Sequence, residues 1–458
     1  MNYISTRNNS KEFTFENVFI KGLAEDGGLF VPKSIKKIET QQLNELSKKN
    51  YKELATEIIF KFTGEFINKS DLSNLINKSY SEFSENDVVK ISHLRDYKLL
   101  ELFHGPTLAF KDIAMQFIGN LYEYYLSKIN KDINIVVATS GDTGAAAIDA
   151  IKGKSNMNIF VLHPNNKISN VQRKLMTTVR EKNVFNIAVE GNFDDCQNLV
   201  KSMFSDLNFS KSINMSGVNS INWARIIAQS VYYFYSYFKI NQNEELNFSV
   251  PTGNFGDVYA GYLAKKMGLP INKLVVATNQ NDILHRAIEK GDYKSKKVKE
   301  TSSPSMDIQL ASNFERLIYD IEECDSNKTK EIMNKIKNNQ YQIDRLSLDK
   351  IKKNFISESL NEKETLETIK HVYQNDRVII DPHTAVGVGA ARKLNLKKNC
   401  VVLATAHPCK FPIAIEKAIN KKSQLPSKLN YILSEKENFD IVPNELEKIK
   451  RYILDKLN

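Results

Sequence analysis

At 458 residues the chain is too long for one compact core and, at ordinary domain sizes, implies about three domains or subdomains. Its 41% hydrophobic and 26% charged residues exclude a disordered or fibrous protein. The net charge of +10 comes from lysines interleaved with Glu and Asp, as in 362–370 and 435–456, which describes a solvated surface and speaks against a nucleic-acid partner.

The first 95 residues read as a mixed cap: a polar start, the turn-rich stretch 22–32 (GLAEDGGLFVP), then Lys-rich sequence of helical character. Pattern alone shows no chemistry there. Next comes Glu101-Leu102-Phe103-His104-Gly105-Pro106-Thr107-Leu108-Ala109-Phe110-Lys111-Asp112, in which Lys111 follows a Gly-Pro turn and opens a largely apolar amphipathic segment, 113–121. A lysine flanked by Phe110 and small apolar residues is open to desolvation, which favours an amine acting as a nucleophile toward an aldehyde. The bland alternative is a surface lysine in the first turn of a helix, where the dipole mildly disfavours a cation.

From 133 to 278 short apolar runs alternate with helix-length amphipathic segments, the pattern of a parallel sheet with crossover helices. Strands are expected at 133–139, 157–162, 184–189, 248–251 and 274–278, with a later one at 400–405. In open α/β sheets ligands bind beyond the carboxyl ends of the strands, so the turns there are where function is sought. The first such turn is Ser140-Gly141-Asp142-Thr143-Gly144, and the second is Gly253-Asn254-Phe255-Gly256-Asp257. Each is a strand, a glycine-containing turn and a helix start whose free N–H groups suit an anion; taken alone, each is equally a well-capped βα turn. Neither carries the GxGxxG or GK[ST] pattern of nucleotide loops. The aromatic stretch 232–238 reads as a buried helix, and 281–371 is polar and hard to place.

Cys196, Cys324, Cys400 and Cys409 stand apart, with no CxxC pair and no Cys/His cluster at metal-ligand spacing, so neither disulfides nor a metal is expected. No stretch approaches the roughly 18 apolar residues of a membrane span, and residues 1–12 have no apolar targeting region. A cytoplasmic protein without a membrane partner is the expectation.

Together these motifs resemble the threonine synthase family, within the tryptophan-synthase-β-like group of pyridoxal-phosphate enzymes. The resemblance runs over most of the chain: YISTR (3–7), GLAEDGGLFVP (22–32), HGPTLAFKD (104–112), SGDTG (140–144), HPNNKISNVQRKLMTT (163–178), SINWARI (220–226), GNFGD (253–257), DPHTAVG (381–387) and TAHPCKFP (405–412), in the family's order. Asn8 where glycine is common and Cys409 where alanine is usual are small departures. The resemblance implies an α/β protein with two open parallel-sheet subdomains and crossover helices, the type II fold of these enzymes, behind an N-terminal cap. The cap is placed at 1–95 and the catalytic region at 96–458, with a smaller α/β subdomain near 130–220 and the larger one formed from the remainder.

The same resemblance implies that Lys111 carries pyridoxal 5'-phosphate and shuttles protons, that Gly253, Asn254, Phe255, Gly256 and Asp257 hold the cofactor's phosphate, and that Thr405 meets its pyridine nitrogen. Ser140, Gly141, Asp142, Thr143 and Gly144 meet the substrate's carboxylate side. Asn222 and Arg225 are candidates for the substrate's phosphate, because an arginine fork matches phosphate geometry. The implied reaction turns O-phospho-L-homoserine and water into L-threonine and phosphate by γ-elimination and β-addition of water, in a monomer or homodimer. A hydroxy-amino-acid dehydratase or cysteine synthase of the same fold is disfavoured by the GLAEDGGLFVP segment and the long cap.

Overall fold

A computed structural model describes residues 1–166, 168–240, 244–397 and 399–457; Lys167, within the 163–178 motif, lies outside the described residues. By compactness the chain divides into two units. One comprises Met1–His104 with Ser220–Ser423, the other Gly105–Asn219 with Gln424–Asn458.

The strands run in chain order as β1 (Tyr3–Ser5), β2 (Asn8–Phe13), β3 (Phe30–Pro32), β4 (Lys90–His93), β5 (Lys98–Glu101), β6 (Ile133–Ala138), β7 (Met157–Pro164), β8 (Val184–Glu190), β9 (Met215–Ser216), β10 (Leu246–Pro251), β11 (Ile271–Thr278), β12 (Phe355–Ser359), β13 (Cys400–Ala404) and β14 (Asp440–Pro443). All six strands expected from sequence form where the apolar runs lie. Their residues are buried almost throughout, as in Ile135, Val136, Phe248 and Val250, and continuous apolar runs of this kind suit parallel strands covered on both faces.

In the larger unit a six-stranded sheet has the order β12-β11-β10-β13-β5-β4, parallel except for β4, which pairs antiparallel with β5. A separate antiparallel sheet, β2-β1-β3, forms at the N-terminus, with Ser5 opposite Phe30 and Tyr3 opposite Pro32. The helix Trp223–Ile240 is buried along nearly its whole length and packs on the helices Tyr51–Thr63 and Gly256–Lys266, so the aromatic run 232–238 is core. The polar stretch 281–371 folds into the helices Ile283–Lys290, Phe314–Ile321, Ser326–Lys337, Arg345–Asn354 and Glu362–Asp376, with β12 among them.

In the smaller unit five parallel strands run β14-β8-β7-β6-β9. Its core joins Val136, Phe160, Leu162, Ile187 and Val189 of the sheet to Cys196 and Met203 of the helix Phe193–Ser205 and to Val442, Ile449 and Ile453 from the C-terminal segment. The helices Lys111–Ile129 and Asp142–Ile151 pack against each other, and a Cβ on Gly119 would run into the Ala150 backbone.

Candidate functional site

Lys111 lies in the smaller unit as the first residue of the helix Lys111–Ile129. The turn before it is built by Asp112, whose carboxylate accepts the Thr107 N–H at 2.9 Å and the Ala109 N–H at 3.4 Å. Gly105 allows this, since a Cβ there would lie 2.5 Å from that of Asp112. Lys111 is only 7% exposed, and its Nζ sits 4.7 Å from the centre of the Phe110 ring.

Asp142 of the SGDTG turn faces the same amine, with Lys111 Nζ 3.5 Å from Oδ2. Its other oxygen accepts from Gln172 Nε2 at 2.9 Å, and Gln172 Oε1 in turn accepts from the Ser169 hydroxyl at 2.9 Å. Sequence reasoning missed Gln172; the clue available was its place three residues after the N-cap serine of the helix Asn170–Thr177. The turn is shaped by Thr139, whose hydroxyl accepts the Gly141 N–H at 2.9 Å and the Gly144 N–H at 2.8 Å. Gly141, at φ +136°, is in a conformation that side-chain-bearing residues rarely adopt, and a Cβ there would press on Gln172 Nε2 at 2.8 Å. Ser140 and Thr143 are partly exposed, and neither hydroxyl bonds to any described residue. The N-cap residue of the helix Asp142–Ile151, Gly141, has no side chain to cap it and Thr139 takes the Gly144 N–H, which leaves the Thr143 N–H without an acceptor among the described residues and open to a carboxylate.

In the larger unit GNFGD joins β10 to the helix Gly256–Lys266. Phe255 takes a left-handed conformation at φ +63° and buries its ring against Phe314 and Phe355, which turns the loop without a side-chain cap on the helix. Among the described residues nothing accepts from the N–H groups of Gly253, Asn254, Phe255 or Gly256. Space beside the loop is narrow: a Cβ on Gly253 would lie 2.6 Å from the Ser305 carbonyl oxygen, and one on Gly256 3.2 Å from Asn313 Nδ2. The Asp257 carboxylate accepts from the Tyr232 hydroxyl and, at 3.0 Å, from that of Tyr233, so it locks the loop to the helix Trp223–Ile240.

Thr405 follows β13 directly and is buried, with a hydroxyl that bonds to no described residue. Asn222 is committed on both sides of its amide, donating to the Phe19 carbonyl at 2.9 Å and accepting the Ala224 N–H at 3.0 Å. Arg225, one turn on, is 5% exposed; burial pushes its guanidinium down to about 10, against the pull of Tyr232 and Asp257. It forms no ion pair with a carboxylate among the described residues. Among those residues there is also no cluster of His, Cys, Asp or Glu arranged to hold a metal, and no helix long and apolar enough to cross a membrane.

A buried lysine at a helix start and two glycine-containing turns at strand ends are in keeping with a known class: residues 97–406 fit the family model for pyridoxal-phosphate dependent enzymes. The chain has the type II fold of that class and takes pyridoxal phosphate as cofactor. Residues 2–80 match the model of the threonine synthase N terminus, and 384–453 that of its C-terminal region. Threonine synthase of Pseudomonas aeruginosa is 42% identical over 99% of this chain and 98% of its own, and that of Saccharomyces cerevisiae 43% over 98% and 93%. The crystal structure of pyridoxal-phosphate-bound threonine synthase from Brucella melitensis superposes with a TM-score of 0.96 at 43% identity, covering 100% of this chain and 99% of that one. The chain belongs to the threonine synthase family, and its function is that of a pyridoxal-phosphate-dependent lyase of amino-acid biosynthesis.

The residues present fit the cofactor. The N–H groups of Gly253, Asn254, Phe255 and Gly256, which have no acceptor among the described residues, suit a phosphate, and the Thr405 hydroxyl suits a ring nitrogen.

Proposed function

We propose that the chain converts O-phospho-L-homoserine and water into L-threonine and phosphate, with Lys111 as the residue that carries the cofactor and moves protons at Cα and Cβ. The observation that carries this reading is Lys111 itself: a lysine 7% exposed, at the start of a helix, with a carboxylate 3.5 Å from its amine. Bound pyridoxal phosphate supplies the electron sink for charge developing at the substrate's Cα.

The chain's own residues do the rest. Gly253, Asn254, Phe255 and Gly256 hold the cofactor's phosphate through their N–H groups, while Asp257 fixes their loop through Tyr232 and Tyr233. Thr405 meets the ring nitrogen with a neutral hydroxyl. Ser140, Gly141, Thr143 and Gly144 form the turn that takes the substrate carboxylate. Asp142, 3.5 Å from the Lys111 amine, would orient it, so that Lys111 could act as general base and then general acid at the substrate's Cα and Cβ. Arg225 is the stronger of the two candidates for the substrate's phosphate, because the Asn222 amide is already engaged as the N-terminal brace of its helix. Burial makes Lys111 a poor target for bulk water, which suits an enzyme that must admit one water at Cβ. A cytoplasmic monomer or homodimer completes the reading.

The experiment is incubation with O-phosphohomoserine and measurement of threonine and phosphate together. Equal amounts are expected. Phosphate released without threonine would overturn the β-addition step, and failure of borohydride to fix the cofactor on Lys111 would overturn its assignment.

A further inference from the structure

The N-terminal motifs STR and GGLFVP contain none of the residues assigned above, yet they converge on the loop proposed to hold the cofactor's phosphate. The junction is Asn313, fully buried just before the helix Phe314–Ile321. Its backbone N–H donates to the Asn254 carbonyl at 3.1 Å, and its side-chain amide donates to the same carbonyl at 3.0 Å and to that of Ser220 at 3.1 Å. One residue thus grips GNFGD from behind and ties it to the start of SINWARI. The grip leaves the loop's N–H groups free, because it uses only the carbonyl of Asn254.

Asn313 is itself held by Arg316, which donates to its side-chain oxygen. Arg316 is fully buried over the Trp223 ring, and two more of its donors reach the carbonyls of Phe30 at 3.0 Å and Ile221 at 2.7 Å. Burial pushes this guanidinium down to about 10. A cation so desolvated keeps its place only where carbonyl oxygens are set out for it, so the position of Phe30 matters. Phe30 lies in β3, and Glu315, next to Arg316 in the chain, is clamped directly by Thr6 and Arg7. Its carboxylate accepts from Thr6 Oγ1 at 2.6 Å and, in a two-pronged pair, from Arg7 Nε at 2.9 Å and Nη2 at 2.7 Å.

We infer that Asn313, Arg316 and the Arg7–Glu315 pair are positioning residues for the cofactor-phosphate loop, and that the N-terminal sheet tunes how tightly this chain retains its cofactor's phosphate end. The chain of contact is Arg7 to Glu315, the first turn of the helix Phe314–Ile321, Asn313, then Asn254. The inference rests on the reading that 253–257 hold the phosphate.

The test titrates apoprotein with pyridoxal phosphate and, separately, with pyridoxal, which lacks the phosphate, following the absorbance of the bound ring. Asn313→Ala is expected to raise the Kd for pyridoxal phosphate at least tenfold and Arg7→Ala about fivefold, with the pyridoxal Kd unchanged in both. Arg7 is partly exposed, so its variant tests the idea even if Asn313→Ala does not fold. Arg7→Lys, which cannot reproduce the fork, is expected to restore little. Gly256→Val separates the two layers of argument. If it weakens pyridoxal phosphate binding while Arg7→Ala and Asn313→Ala do not, the positioning role is wrong. If Gly256→Val also leaves the Kd unchanged, the phosphate-loop reading is what fails. Equal loss of pyridoxal and pyridoxal phosphate affinity in Arg7→Ala would indicate general loosening and overturn the inference.

Discussion

Gly119→Ala pits helix propensity against packing. Gly119 lies inside the helix whose first residue is Lys111. A Cβ there would fall well inside van der Waals contact of the Ala150 carbonyl oxygen and 3.1 Å from both the carbonyl carbon and the Cβ of Ala150, where ordinary contact begins at 3.4 Å. Propensity alone favours the substitution by about 1 kcal/mol. Overpacking costs about 1–3 kcal/mol, and the obstacle here is helix backbone that no rotamer change can clear, which places the cost near the upper end, about 3 kcal/mol. The net expectation is about 2 kcal/mol of destabilisation, a fall in melting temperature of about 4–8 °C for a unit of this size. Separating the two helices would also lengthen the 3.5 Å contact between Lys111 and Asp142, which stand at their N-termini. Thermal unfolding of the apoprotein followed by circular dichroism measures the effect. A melting temperature equal to or above that of the parent would refute the reasoning, since propensity would then have won.

Lys111→Ala is expected to abolish threonine formation and cofactor fixation by borohydride with the circular dichroism spectrum intact; activity within tenfold of the parent would remove Lys111 from its role. Glu437 joins the C-terminal segment to the helix Asn170–Thr177 through Arg173, at 2.7 and 3.0 Å, and its hydrogen bond to Arg173 holds its carboxyl below the usual 4.5. A lowered folded value means the stabilisation is complete above 4.5 and lost as pH falls through the folded value, so Glu437→Gln is expected to flatten the acid side of the melting-temperature profile. A variant as acid-sensitive as the parent would assign that slope elsewhere. A phosphonate analogue of O-phosphohomoserine, with carbon in place of the bridging oxygen, is expected to bind, shift the cofactor's absorption band and stall, because no phosphate can leave. Inhibition that is not competitive with O-phosphohomoserine would contradict the substrate assignment.

Local signals in the sequence carried the strands β6, β7, β8, β10, β11 and β13 and the two turns, but not the remaining strands. β6 and β10 are apolar runs ending in glycine-rich turns, and that order survives folding unchanged because parallel strands bury both faces. For Lys111 the Gly-Pro turn and apolar flank left a surface lysine open, and its cofactor role came only from the family resemblance of HGPTLAFKD; the structure buries the residue. β12, FISES, was not legible: only Phe355 and Ser357 are buried in it, and it sits among Lys- and Glu-rich helices whose apolar stripes are thin. Asn313 and Arg316 lack a local pattern that points to the loop, since their partners Asn254 and Phe30 lie far along the chain, and the N-cap spacing that marks Gln172 does not reveal its distant partner Asp142. A buried Arg whose partners are carbonyl oxygens also carries no complementary acidic residue to betray it.

The pairing of β14 with β8 has a consequence for synthesis of the chain. The smaller unit's sheet is completed by 440–443, yet all of 220–423 leaves the ribosome between its other strands and this one. Until then β8 is an open edge, and the apolar surface later covered by Val442, Ile449 and Ile453 is bare to water. The nascent protein must therefore carry an unfinished, adhesive half while the larger unit is being made, and the step that closes it comes after most of the molecule already exists.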